Sequence, residues 1–149
     1  MDQQLQKMIE KYELAVAFAN EFTAEIGEER SHKVIGRAFE KMQVKAGRDL
    51  ARQLGSNTVE ALARHFRKLE AERDNLEVLE VTDRHVALKI SRCRAWEAFQ
   101  ELGAPKLCRL YCDSDHAYIK AFNPGMELVR TKTIAAGDDC CNHIWAMGD

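Results

Sequence analysis

The chain has 149 residues, with 22 Lys and Arg against 24 Asp and Glu, a net charge of −2 and 46% hydrophobic residues. This composition excludes the disordered class, and the mixing of basic with acidic residues, with no Lys/Arg run interleaved with aromatics, leaves no electrostatic footprint for nucleic acid. The opening MDQQLQKMIEKYELAVAF is polar and its apolar positions are interrupted by charges, so neither a secretory signal nor a membrane span is expected, and the expected location is cytoplasmic.

In residues 3–25 the apolar side chains Leu5, Met8, Ile9, Tyr12, Leu14, Val16, Phe18 and Phe22 recur at helical spacing, which predicts a helix with a broad buried face. An amphipathic helix of this length can also serve a homo-oligomer interface. A second helix is expected from Ser31, past Val34, Ile35, Phe39, Met42 and Leu50, to Gly55 as its left-handed C-terminal stop. Gly36 and Gly47 lie inside it at a cost of about 1 kcal/mol each relative to Ala, so each marks either close packing or a break. Asn57 with Glu60 three residues on reads as an N-cap for a third helix running to about residue 75.

The pattern then changes. Residues 76–81 and 85–90 alternate around a turn at 82–84, which is a hairpin signal. Helical pieces follow at 95–102 and, after Pro105, at 106–122, stopped by Asn123-Pro124-Gly125. Strand-like runs at 126–134 and 140–147 flank Ala-Ala-Gly-Asp-Asp, in which Gly137 can take positive φ. The expected fold is therefore α+β: an antiparallel sheet of about four strands, as two hairpins, covered on one face by helices. Residues 1–149 read as a single domain, with 1–75 a mainly helical segment that can form an N-terminal extension and 76–149 carrying the sheet, further helices and the site.

Five cysteines are an odd number, so a disulfide framework is a poor fit and free thiols are expected. Cys108, Cys112, Asp115 and His116 fall on adjoining parts of one helical face. Their spacing matches no standard zinc pattern. On the last strand the pleat puts Cys141, His143, Trp145 and Met147 on one side and Cys140 on the other, so the adjacent cysteines face opposite ways. If the Cys141 side is covered, Trp145 packs beside the thiol and His143 can lower its pKa. Cys93 sits where the second strand hands over to a helix, flanked by Arg92 and Arg94, which favour a thiolate if they approach the sulfur. Arg130, on a strand expected to pair with the cysteine strand, is a candidate clamp for a carboxylate.

Several of these residues occur in an ordered set of short motifs: Cys93 before an aromatic helix ending in Glu101-Leu-Gly-Ala-Pro105, then Leu110-Tyr-Cys-Asp-Ser-Asp115, Phe122-Asn-Pro124, and Leu128-Val-Arg-Thr-Lys-Thr-Ile134 with Gly137-Asp and Cys141. Over about residues 90–147 this set resembles the L-2-amino-thiazoline-4-carboxylic acid hydrolases. The resemblance implies a small cytoplasmic bacterial α+β protein that opens a cyclic isothiourea to an N-carbamoyl amino acid. It carries Cys93, Cys112, Asp115, Cys141, Arg130, Thr131, Thr133 and Gly137 onto the family's pattern, while Cys108 and Cys140 fall outside it. His116, where relatives have an aromatic residue, and Asn142-His143 depart from it, which bears on the substrate.

The expected chemistry is hydrolysis of a C–N or C–S bond at an amidine-like carbon. A thiolate, Cys141 or Cys93, attacks; Asp115 moves a proton, with Cys112 beside it; Arg130, Thr131, Thr133, His116, His143 and Trp145 contact a small carboxylate-bearing molecule. No cofactor is required. In a metal variant, Cys93, Cys112 and Cys141 would present three soft ligands to zinc or iron. The alternative is a non-catalytic small-molecule, redox-sensing or metal-sensing domain that uses the same pocket.

Overall fold

The computed structural model describes residues 2–149. α1 (Gln3–Ile26) and α2 (Glu28–Leu54) are joined by Gly27 alone, at φ +83°. One residue with left-handed freedom is enough to reverse the chain, so α2 starts before the expected Ser31. Ser31 instead clasps the two helices: buried, it donates to the Ala19 carbonyl at 3.2 Å and accepts from the Thr23 hydroxyl at 3.0 Å. α3 (Val59–Glu72) is capped by Thr58 rather than Asn57, because the Thr58 hydroxyl accepts from the Ala61 N–H at 3.2 Å. The Asn57 carbonyl accepts from the Asn123 side chain at 2.8 Å instead.

The hairpin β1 (Leu76–Val81) and β2 (His85–Ile90) forms as expected, with a bulge between Val78 and Glu80. α4 (Arg94–Glu101) follows. The single helix expected over 106–122 is two, α5 (Pro105–Asp113) and α6 (Asp115–Phe122), parted at Ser114. The Ser114 hydroxyl donates to the Tyr111 carbonyl, and such a side-chain bond competes with the helical ladder. β3 (Met126–Val129) also departs from expectation, ending well before residue 134. The N–H groups of Thr131 and Lys132 both donate to the Asn142 side-chain oxygen, at 2.9 and 2.7 Å, instead of to a strand. A short 3-10 turn (Ile134–Ala136), Gly137 at φ +97° and β4 (Cys141–Met147) complete the chain.

All pairings are antiparallel and the sheet order is β1-β2-β4-β3. β4 is therefore central, with Cys141 opposite Ile90 and His143 opposite Leu88. The inner face, including Val86, Leu88 and Trp145, packs with Leu62 and Phe66 of α3 and Ile119 and Phe122 of α6. A second cluster, Tyr12, Val16, Phe39, Phe99, Leu107 and Cys108, joins α1 and α2 to α4 and α5. The N-terminal helices are thus built into the body that carries the site. Among the described residues no helix is long and apolar enough to cross a membrane.

The two glycines of α2 differ in what surrounds them. A Cβ on Gly47 would run into the Tyr118 carbonyl and the Phe122 backbone nitrogen of α6, whereas on Gly36 it would meet only Leu110 Cδ2, at 3.9 Å. Gly47→Ala is therefore expected to lower stability by about 1–3 kcal/mol through overpacking. Gly36→Ala should raise it, by up to about 1 kcal/mol from helix propensity. Urea denaturation of both variants measures the two changes.

Candidate functional site

Where the two clusters meet, α1, the α3–β1 junction, the start of α4, the α5–α6 break and β4 enclose a cavity of about 470 Å³. Cys93, Cys112, Asp115, Arg130, Cys141 and His143 all line it. Residues separated by up to 50 positions in sequence thus share one space, and the exposed Lys7, Lys11 and Arg73 stand at its solvent side.

Cys93 is the N-cap of α4, and its sulfur accepts from the Trp96 N–H at 3.3 Å. The hydrogen bond from the Cys108 thiol is the largest influence on it, and with the Trp96 and Ala95 N–H groups it outweighs the opposing effect of burial, bringing the Cys93 pKa down to about 7. These donors favour the thiolate over the thiol. The flanking arginines have other partners. Arg92 pairs with Asp2 at 2.9 Å and Glu97 at 2.7 Å, and Arg94 with Asp2 at 3.2 Å and Asp74 at 2.9 Å. Asp2 also caps α1, accepting from the Leu5 N–H at 2.7 Å, so the first turn of the chain is fastened beside Cys93.

Cys141 is in the opposite condition. Burial raises its pKa to about 11, although the Ile134 N–H donates to its sulfur at 3.2 Å. The expected help from His143 does not arise. Burial, with the nearby Arg130 charge, lowers the His143 pKa to about 4, leaving a neutral ring near pH 7 that can exchange hydrogen bonds but cannot stabilise a thiolate by charge.

Asp115 opens α6 and is held by two residues distant in sequence. Arg130 Nη1 donates to its Oδ2 at 3.0 Å and Gln43 Nε2 to its Oδ1 at 2.9 Å. Arg130 Nη2 donates to the Cys112 carbonyl at 2.8 Å, in the last turn of α5. Burial is the strongest influence on Asp115 and raises its pKa to about 6, against the charge and hydrogen bond of Arg130. A carboxyl group that titrates near 6 can both give and take a proton around neutral pH.

The remaining sequence candidates lie apart. His116, Thr131 and Thr133 line a smaller cavity of about 300 Å³, which meets the first only at the shared walls Cys112 and Arg130. Trp145 lies in the core beneath, stacked on Phe66 at 5.8 Å and edge-on to His143 at 5.4 Å, so it supports His143 instead of lining the main cavity. Among the described residues no group of three or more His, Cys, Asp or Glu side chains is placed to hold a metal ion. Cys93, Cys112 and Cys141 line one space without forming a ligand set, each sulfur being turned toward a neighbour in the protein: Trp96 N–H, Cys108 and Ile134 N–H respectively.

Cys108 falls outside the family's motifs, and the sequence does not mark Gln43, Lys7, Lys11 or Arg73 as lining or supporting the site. The i,i+4 spacing of Lys7 and Lys11 on α1 was the one available signal; nothing in the sequence aims Gln43 at a residue 72 positions away.

A protein-family model described as L-2-amino-thiazoline-4-carboxylic acid hydrolase matches residues 6–145. The likeness therefore takes in the N-terminal helices, beyond the 90–147 span of the motifs. No curated protein matches the chain. Among solved structures, the phenol-responsive sensory domain of the transcription activator PoxR, with phenol, aligns at TM-score 0.58 and 11% identity, over 91% of this chain and 73% of that one. A trafficking protein particle complex subunit 3 from Naegleria fowleri, covalently bound to palmitic acid, aligns at TM-score 0.51 and 13% identity, over 93% and 96%. At these identities the likeness is one of fold.

Thiol alkylation separates the cysteines. With iodoacetamide on the native protein, Cys93 is expected to react first, with a rate that rises with pH to a midpoint near 7, while Cys141 stays unmodified until well above pH 9. Peptide mapping against pH measures the order.

Proposed function

The chain belongs to the L-2-amino-thiazoline-4-carboxylic acid hydrolase family, and from that premise we propose that its cavity opens a small cyclic isothiourea bearing a carboxylate, with Cys93 as the nucleophile. The observation that carries this assignment is a thiolate-favouring N-cap cysteine facing the same cavity as a carboxyl group poised near neutrality.

In the first step Cys93 Sγ bonds to the amidine-like ring carbon and the ring C–S bond breaks, the departing sulfur taking a proton from Asp115. In the second, water attacks the same carbon, Asp115 takes a proton from it, the bond to Cys93 breaks and an N-carbamoyl amino acid is released. One sulfur replaces another on the same carbon in the first step, and the proton from Asp115 lets the departing one leave as a neutral thiol. No cofactor enters either step. The neutral His143 is available to accept or donate a hydrogen bond to the substrate's amidine nitrogens.

Arg130 was the expected carboxylate clamp, but two of its donors are already committed to Asp115 and the Cys112 carbonyl. Lys7 and Lys11 on α1 and Arg73 at the end of α3 are exposed, line the cavity and carry no ion pair among the described residues. In this proposal they receive the substrate's carboxylate at the mouth, and Arg130 holds Asp115. Five free thiols suit a reducing, cytoplasmic setting. The exposed stripe Leu14, Phe18 and Phe22 on α1, the first 65% and the second 54% exposed, supports self-association through the N-terminal helices.

A second proposal, a ligand-sensing domain without turnover, is favoured by the structural likeness to a sensory domain solved with phenol. Turnover decides between them. L-2-Amino-thiazoline-4-carboxylate is expected to be opened with a bell-shaped kcat/KM profile whose limbs lie near 6 and 7, because the first step needs Asp115 protonated and Cys93 ionised. Cys93→Ala should lose on the order of 10³-fold or more, whereas Cys141→Ala should retain most activity. The analogue 2-amino-2-thiazoline, which lacks the carboxylate, should fall by about 10- to 100-fold in kcat/KM, as the loss of charged hydrogen bonds implies. Binding of these compounds without turnover in the parent protein would favour the sensor.

A further inference from the structure

Asn75 stands at the α3–β1 junction and lines the main cavity together with Cys93. Main chain and side chain alike tie it to the segment that leads into Cys93. Its main-chain carbonyl accepts from the Ser91 N–H at 3.0 Å and from the Ser91 hydroxyl at 3.4 Å, and its side-chain Nδ2 donates to the Arg92 carbonyl at 2.7 Å. A carbonyl can only accept, so this last bond fixes which way the amide is turned: Nδ2 faces Arg92, and Oδ1 is left as an acceptor on the other side.

That oxygen is buried and has no hydrogen-bond partner among the described residues. Arg94 Nη1 is the other such atom on a residue lining this cavity, and the two do not pair. Native proteins leave few buried acceptors unmatched, because each one costs the desolvation of its lone pairs. Turning Oδ1 out to water would break the bond to Arg92. The hydrolysis above gives Asn75 no part. We propose that Asn75 Oδ1 determines the specificity of the cavity by accepting a hydrogen bond from an exocyclic amino group on the ligand's ring.

The inference rests on reading the cavity as a site for a small ring with an amidine, and it names the group by which that ring is chosen. An amide oxygen offers lone pairs and no proton, so it favours an N–H, repels a carbonyl oxygen and gains nothing from a methyl group. An isothiourea carries its amino group on the carbon that Cys93 attacks, whereas a cyclic thiocarbamate has an oxygen there. A site built to hydrogen-bond its substrate rejects the analogue lacking that group far more strongly than an apolar pocket rejects a missing methylene. Because Asn75 is fastened to the residue before Cys93, seating the amino group also positions the ring relative to the sulfur. The amino group is retained in the N-carbamoyl product, so the same hydrogen bond serves both steps.

The test is calorimetry on the parent protein with 2-aminothiazole-4-carboxylate and 2-methylthiazole-4-carboxylate. The two have closely similar shapes, their aromatic ring resists opening, and the first alone has a donor at the tested position. The amino compound is expected to bind about 5- to 100-fold more tightly, as the matching of a buried acceptor implies. In Asn75→Ala this preference should be lost while the methyl compound binds as it does to the parent. The comparison in the parent does not depend on how the variant folds. Equal affinities in the parent, a preference that survives in Asn75→Ala, or a loss shared equally by both ligands, as a merely structural role would give, overturns the proposal. If neither ligand binds, the proposal falls together with the reading on which it rests. Failure to open the thiazoline bears on hydrolysis alone, since the binding comparison involves no turnover.

Discussion

The guanidinium of Arg130 sets the layout of the site. Its side chain is only 7% exposed, and a buried charge is tolerated when it is paired and hydrogen-bonded. Asp115 and the Cys112 carbonyl meet that requirement from opposite sides of the α5–α6 break. The break is what allows it: at Ser114 the helix ends, so a carbonyl of α5 and a side chain of α6 can face one cation. For the same reason β3 stops at Val129, one residue before the chain turns Arg130 inward, and Asn142 takes up the strand's next two N–H groups. Gln43 adds α2 to the arrangement. The ion pair thereby fixes which way Cys112 and Asp115 face, and with them one wall of the cavity.

Around this fixed pair, three titrating groups share the space with different tuning. Burial holds His143 neutral and Cys141 as a thiol, while helix N–H groups and the Cys108 thiol favour the Cys93 thiolate. Burial also brings Asp115 to the range in which it can exchange protons. Burial and hydrogen bonding act in opposite senses on the two candidate thiols, and that contrast assigns the nucleophilic role in our proposal to Cys93.

Much of the architecture was legible from local pattern. Helical spacing located α1 to α3 and alternation located the β1–β2 hairpin, whereas the last strand begins at Cys141 and leaves Cys140 outside it. The motifs around Cys93, Cys112, Asp115 and Cys141 named residues that line one cavity. What local pattern did not carry were decisions made over long distances. The break at Ser114 depends on a single serine hydroxyl turning back on its helix, in a stretch whose periodicity continues without interruption. Arg130 reads as a strand residue until Asp115 is known to lie opposite it. The state of Cys93 depends in part on a thiol 15 positions away that lies outside the family's motifs, and Lys7, Lys11 and Arg73 acquire meaning only when α1 and α3 are brought to the same opening.

The central claim, that Cys93 is the sulfur that bonds to substrate carbon, is tested most directly by trapping the intermediate. Protein mixed with excess L-2-amino-thiazoline-4-carboxylate and quenched in acid at early times should carry one substrate-sized adduct, and peptide mapping should place it on Cys93. An adduct on Cys141, or turnover with no adduct on any cysteine at any time, would contradict the account.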